Sequence, residues 1–214
     1  MDKFNDLRFQ KKQLLALVKK NFAPEDRKKI ISALEFARKA HKGQKRIEGT
    51  SYIIHPIRAA IILLEDAQIW DADVIVSALL HDVIEDCGVS PKAVEKRFGK
   101  RVSRFVELLT RPQRRKEDEF QKETNKIRYL KKLSKASREA KLIKCADILD
   151  NMRSAAEVPF YHAAWQSFPR WRREFHRALA FVETVHPVIF RKMRMALNVF
   201  ELKRFARAVV RLGR

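Results

Sequence analysis

The sequence predicts an all-α chain, and three observations carry that reading. Apolar residues recur at three- and four-residue spacing along most of the 214 residues. No alternation of period two runs far enough to make a strand. Helix punctuation falls where the periodicity starts and stops, with Pro24, Pro56 and Ser90-Pro91 at beginnings and Gly88 and Gly99 at ends. A hydrophobic content of 46% is enough for a buried core in one domain, or one domain with a helical appendage.

Residues 6–20 (DLRFQKKQLLALVKK) predict an amphipathic helix with Leu7, Leu14, Leu15 and Val18 inward. Asn21 to Pro24 break it, and Pro24-Glu25-Asp26 open a second helix to about His41, with Ile30, Ile31, Leu34 and Ala37 on its buried side. Gln44 to Tyr52 (QKRIEGTSY) is polar, holds Gly49 and predicts a loop. Pro56 starts a helix over 56–65 and leaves His55 at its mouth. Residues 71–86 (DADVIVSALLHDVIED) predict one helix, capped by Asp71 or Asp73 and ended by Gly88. Short helices follow over 90–99 and 101–110. Residues 111–140 are dense in charge. They predict a loop and then an exposed helix with Phe120, Ile127, Leu130 and Leu133 inward, a candidate flap over a ligand. Ala140 to Met152 is an apolar helix. Trp165, Phe168, Trp171, Phe175, Leu179 and Val182 read as helix-packing residues. Over 187–212 the stripe Phe190, Met193, Leu197 gives way to Leu202, Phe205, Val209, Leu212 in a shifted phase, so a bend or break is expected near Phe200.

The stretch LLHDVIED, Leu79 to Asp86, carries the chemistry. An apolar helix suddenly bears His81, Asp82, Glu85 and Asp86. On one continuous helix these fall within an arc of about 140° and face one cavity. Three carboxylates that close repel unless something positive sits among them. With an imidazole included, a divalent metal is the natural occupant. The alternative is a solvated helix end, which the apolar run VIVSALL upstream opposes. A second apolar helix, AKLIKCADILDNM, places Asp147 in a buried phase with Asn151 one turn on. His55 before Pro56 suits a cap, a core side chain or a ligand.

Charge narrows the partners. There are 47 Lys+Arg against 26 Asp+Glu, net +21, yet residues 51–110 hold 7 basic and 9 acidic side chains. An acidic pocket framed by a positive surface suits a polyanionic ligand, either a multiply phosphorylated nucleotide or nucleic acid. Cys87 and Cys145 are the only cysteines and form no CxxC pair, as expected of reduced thiols in a cytoplasmic protein. No apolar run is long enough for a membrane span, and the charged N-terminus lacks a signal-peptide core.

Taken together, GQKRIEGTSYIIHP, LLHDVIED and KLIKCADILDNMRS resemble the HD-domain metal-dependent phosphohydrolases. More closely, they resemble the alarmone hydrolase domain of RelA/SpoT homologues, in its stand-alone small form like the animal SpoT-like enzymes. The resemblance runs from about residue 30 to residue 155. It implies a single helical HD-domain bundle over 25–185, flanked by an N-terminal helix (1–24) packed on it and a basic amphipathic C-terminal helix (186–214). It implies that His55, His81, Asp82 and Asp147 hold one manganese ion (Mn2+), and that Glu85 and Asp86 are the acid/base pair. It also implies that Arg46 meets guanine and that Asn151 and Ser154 touch the nucleoside. The implied reaction removes pyrophosphate from the 3′ position of guanosine tetra- or pentaphosphate. Lys45, Lys144 and Arg111 are placed by charge and position to balance the phosphates.

Two departures stand out. Relatives often read ADRLxNMR, whereas Ile148 and Asp150 stand here, which leaves the metal ligand intact but alters the shell around it, and many have a Lys for the base where Ile47 follows Arg46. Guanine preference is therefore less firmly implied than phosphate-ester hydrolysis. An adenine alarmone, the 2′-phosphate of NADPH and a pyrophosphorylated tRNA 3′ end remain as substrates, with a role as antitoxin to a toxic small synthetase. The basic flanks suit a tRNA or RNA contact, and nothing in the sequence excludes an oligomer.

Overall fold

The structure is a computed structural model that describes residues 3–111, 119–159 and 162–212. Among these, helices account for nearly all regular structure, and the one strand-like feature is an isolated antiparallel bridge between Lys45 and Ser51. The helices are α1 (Leu7–Asn21), α2 (Pro24–Ala40), α3 (Ile54–Glu65), α4 (Ala72–Leu80), α5 (Val83–Cys87), α6 (Pro91–Phe98), α7 (Lys100–Leu109), α8 (Glu119–Ser134), α9 (Arg138–Glu157), α10 (Phe168–Glu183) and α11 (Pro187–Leu212). A short 3-10 turn, Ala163–Ser167, precedes α10.

The fold is built around α3. Every residue from Ile54 to Leu64 is buried, and all but His55 and Arg58 are apolar, as suits a central helix. It packs against α1, α4 and α9, while α2 covers α4 and α11 covers α9. One continuous core joins Leu14 and Val18 of α1, Leu63 and Leu64 of α3, Leu79 of α4, Leu149 of α9 and Phe200 of α11. Side chains cap the helix starts, Asp71 and Ser90 as the sequence predicts and Ser137 in addition. Asp71 accepts from the backbone N–H groups of Asp73 and Val74, Ser90 from Ala93, and Ser137 from Ala140. Gly88 closes α5 at φ 67°, a left-handed conformation that glycine adopts without strain.

Several expectations are corrected. Residues 71–86 form two helices. α4 stops at Leu80, and Asp82 sits at φ −102°, ψ −5°, the sparsely populated bridge region common at active sites. The helix over 56–65 begins at Ile54, which brings His55 inside its first turn. Ile31 is exposed, because α2 presents Ile30, Ala33, Leu34 and Ala37 to the core and turns Ile31 outward. α11 runs unbroken past Phe200. The apparent phase shift arises where the helix leaves the core, since Leu202 and Phe205 are 68% and 71% exposed. Phe200 itself is fully buried, stacked at 4.5 Å on Phe168 and 5.8 Å on Trp165. Residues 112–118 of the candidate flap lie outside the described residues, as does the side chain of Phe120. Of its other inward positions Leu133 is buried and Ile127 is exposed. Cys87 and Cys145 are free thiols, and among the described residues no helix is long and apolar enough to cross a membrane.

Candidate active site

Three sequence-distant stretches converge on one cavity of about 390 Å³. His55 comes from α3, His81 and Asp82 from the break between α4 and α5, and Asp147 from α9. His55 Nε2 lies 3.1 Å from His81 Nε2, 3.2 Å from Asp147 Oδ1 and 3.6 Å from Asp82 Oδ2. His81 Nε2 lies 3.0 Å from Asp82 Oδ2 and 3.8 Å from Asp147 Oδ1. The ligand atoms of His55, His81 and Asp82 form the tightest group, all within 4.8 Å of one another.

The break in the helix explains the convergence. On a continuous helix His81 and Asp82 would point about 100° apart. The turn at Asp82 brings its carboxylate back beside the His81 ring. Each imidazole is anchored from outside by its other nitrogen. His81 Nδ1 is 2.8 Å from the carbonyl of Ala78, which only accepts, so Nδ1 carries a proton. His55 Nδ1 donates to Asp150 Oδ2 at 2.6 Å. Both Nε2 atoms therefore face the carboxylates of Asp82 and Asp147, so acceptors crowd one point even though Tyr52, Asn151 and Lys144 each reach one of those carboxylates from outside. Such a set demands a cation. Burial opposes charge on His81, but the facing carboxylates of Asp82 and Asp147 outweigh it and lift its pKa well above the usual range. Burial likewise disfavours the Asp82 carboxylate, but His81 and His55 hold its pKa below the usual range. A donor set of two imidazoles and two carboxylates fits a divalent first-row metal.

The two further acids at this site occupy different surroundings. Glu85 is clamped by Arg111, whose backbone N–H, Nε and Nη2 donate to the carboxylate at 2.8, 3.0 and 2.7 Å. Asp86 is more open, and burial together with the charges of Asp82 and Glu85 raises its pKa. The Tyr52 hydroxyl bridges the two aspartates, at 2.7 Å from Asp82 Oδ2 and 2.9 Å from Asp86 Oδ2. Burial and those same carboxylates raise the Tyr52 pKa far above its ordinary value, so the phenol remains a donor.

The remaining predicted residues line the same cavity: Lys45, Arg46, Arg111, Lys144, Asn151 and Ser154. Lys144 Nζ pairs with Asp147 Oδ2 at 2.7 Å. Arg46 Nη2 donates to Asn151 Oδ1 at 2.9 Å, and Asn151 Nδ2 donates in turn to Asp147 Oδ1. The loop before α3 is thereby wired to the metal-type cluster. Ser154 is buried, and its hydroxyl accepts from Arg58 Nη2 at 2.7 Å. Lys45 is exposed at the rim.

Sequence reasoning missed Tyr52, Arg58 and Glu48, and noted Asp150 only as a departure beside the metal ligand. Tyr52 left no signal, because a tyrosine in a loop predicts nothing about its partners. Arg58 and Asp150 did leave one: each interrupts the apolar phase of a buried helix. Glu48 is 4% exposed between Arg46 (3.6 Å) and Arg58 (3.7 Å). Trp171 and Phe175 of α10, read as packing residues, also line the cavity, with Glu174 between them.

The described geometry has counterparts. Residues 33–166 match the family model described as HD domain. The chain is 39% identical over 126 residues to the human guanosine-3′,5′-bis(diphosphate) 3′-pyrophosphohydrolase MESH1, covering 58% of this chain and 68% of that one. It is 35% identical over 133 residues to the guanosine-3′,5′-bis(diphosphate) 3′-pyrophosphohydrolase of Aquifex aeolicus, covering 61% of this chain but only 18% of that much longer protein. Over 139 residues it is 36% identical to the bifunctional (p)ppGpp synthase/hydrolase SpoT of Escherichia coli, of which it spans 20%. A solved structure of a metazoan SpoT orthologue, reported to hydrolyse ppGpp, superposes with a TM-score of 0.68 at 30% identity, covering 79% of this chain and 94% of that one. The chain is a member of the HD domain family, in the group that holds the guanosine-3′,5′-bis(diphosphate) 3′-pyrophosphohydrolases.

Proposed function

We propose that this protein is a metal-dependent hydrolase that removes pyrophosphate from the 3′ position of guanosine tetra- or pentaphosphate. The observation that carries the reading is the convergence of His55, His81, Asp82 and Asp147 on one point at the floor of a nucleotide-sized cavity. Manganese is the proposed ion, held by those four side chains. When bound, a divalent ion supplies Lewis acidity toward a phosphate oxygen and makes water acidic near neutral pH.

The chain's own residues do the rest. Asp86, with its raised pKa and its place beside Asp82, takes a proton from the attacking water. Tyr52 holds the Asp86 carboxylate toward Asp82, so the proton is received next to the reacting phosphate. Asp86 then passes that proton to the departing 3′ oxygen, while Glu85, fixed as a carboxylate by Arg111, orients the water. The water oxygen joins phosphorus, the bond from phosphorus to the 3′ oxygen breaks, and pyrophosphate and the guanosine 5′-di- or triphosphate leave. Lys144 and Lys45 add positive charge along the cavity, where phosphate groups need it. Arg46 and Asn151 form the polar edge of the nucleoside end. Ile47, Ile148, Trp171 and Phe175 supply an apolar wall suited to a base.

The test is a substrate panel with manganese and a chelator control, resolved by chromatography: guanosine tetraphosphate, its adenosine counterpart, NADPH and a pyrophosphorylated tRNA. Preferential loss of pyrophosphate from the guanosine compound supports the reading. Turnover of NADPH or tRNA alone would replace it.

A further inference from the structure

Arg58 is anomalous: a guanidinium buried inside a helix whose other buried residues, His55 apart, are apolar. It does not line the cavity, yet its partners lead there. Its Nη2 donates to Asp150 Oδ2 at 3.1 Å, and its Nε lies 2.6 Å from Asp150 Oδ1, a close ion-pair contact without hydrogen-bond geometry. Asp150 has no exposed surface, and the same Oδ2 accepts from His55 Nδ1 at 2.6 Å. On its far side Arg58 is covered by the segment before α1. The Phe4 ring lies 3.9 Å from the guanidinium, and the Phe4 carbonyl and Asn5 Oδ1 accept from Nη1 at 3.2 and 3.4 Å. That segment is clipped to α1 by Gln10, whose Nε2 donates to the carbonyls of Lys3 and Phe4 at 3.0 and 3.4 Å.

We propose that Asp150 and Arg58 are positioning residues of the metal site, and that the segment Lys3–Asn5, remote from the cavity, completes their support. The inference rests on the metal reading above and extends it to residues that touch neither metal nor substrate. A carboxylate on the outer nitrogen of a ligand histidine fixes its tautomer and ring orientation. Asp150 does this for His55. A buried carboxylate is costly unless paired, and Arg58 is its cation. The buried Arg58 needs partners for its remaining donors, and Ser154, Phe4 and Asn5 provide them. The order of dependence is therefore Phe4 to Arg58 to Asp150 to His55. His81 has no such chain, because its anchor is the carbonyl of its own helix. The two imidazoles of one site are thus held by different means, one locally and one through the N-terminal segment.

The test is manganese affinity of the full chain, read by the electron paramagnetic resonance signal of free Mn2+, for wild type, Asp150→Ala, Asp150→Asn and Phe4→Ala. Circular dichroism verifies folding. Removing an outer partner of a metal-bound histidine typically weakens binding roughly 10- to 100-fold, the change expected for Asp150→Ala. Asp150→Asn keeps an acceptor for Nδ1–H and loses part of this. Phe4→Ala weakens binding in the same direction by a smaller factor, and 15N spectra show His55 leaving the single Nδ1–H tautomer in the Ala variant. If Asp150→Ala fails to fold, Asp150→Asn and Phe4→Ala decide. Wild-type affinity in both overturns the inference while leaving the metal reading intact. No manganese binding by the wild type overturns both.

Discussion

The Nε2 atoms of His55 and His81 stand 3.1 Å apart, and each ring spends its Nδ1 proton on an acceptor behind it. Two lone pairs facing each other across that gap, with Asp82 and Asp147 alongside, are stable only around a positive charge. In the protein alone a proton on His81 fills that role, which is the cause of its raised pKa. A metal ion must displace it, so binding releases protons and weakens as pH falls.

Metal addition stabilises the fold in consequence. At a free concentration of about 100 times Kd the gain is about 2.7 kcal/mol. For a chain of this size that raises Tm by about 5–10 °C. Differential scanning calorimetry with manganese shows the shift in wild type and none in His81→Ala or Asp82→Ala.

Tyr52→Phe removes both hydrogen bonds to Asp82 and Asp86 while keeping the ring stacked on His41 at 4.6 Å. The expected outcome is a fall in kcat of about 10- to 100-fold, in line with other outer-shell losses. KM and Tm change little. A steady-state assay beside a melting curve separates these effects.

Asp86 sets a pH dependence in the metal-free protein. Burial and the charges of Asp82 and Glu85 raise its folded pKa. A raised carboxylate pKa gives stability that is present below the unfolded value, about 3.9, and is lost as pH rises through the folded value. Asp86→Asn cannot acquire that charge. Its stability relative to wild type therefore increases with pH above 4 and levels off above the folded pKa. Urea unfolding at pH 4, 6 and 8 in chelator measures the trend; a difference independent of pH would contradict it.

At the nucleoside end, Trp171→Ala opens the apolar wall without touching the acids or the ligand set. It raises KM for the nucleotide with a smaller effect on kcat, the pattern of lost uniform binding. Phe200→Ala acts on stability alone. It removes a fully buried ring from the Trp165–Phe168 stack, at a cost of about 3–5 kcal/mol, which lowers Tm on the order of 10 °C.

Much of this was legible in the sequence because it rests on local rules. Prolines, serines and glycines marked most helix ends, and the acids of LLHDVIED announced a site because charge in an apolar helix requires a reason. The fold hid what depends on other segments. The break at His81-Asp82 has no Gly or Pro to mark it, so the run reads as one helix. Asp150 was visible as a departure, but its role comes from Arg58 and His55, 92 and 95 residues away in sequence. The shifted stripe on α11 mimicked a bend because periodicity shows where apolar residues lie and not whether anything covers them. Trp171 and Phe175 face both core and cavity, and sequence spacing signals only the first.

The central claim is that His55, His81, Asp82 and Asp147 assemble a metal-dependent hydrolytic site. It is tested most directly by following pyrophosphate release from guanosine tetraphosphate by wild type and Asp82→Ala, each with manganese and with excess chelator. The predicted result is release by wild type with manganese alone, and none by the variant in either condition. Release that survives the chelator, or persists in Asp82→Ala, would contradict it.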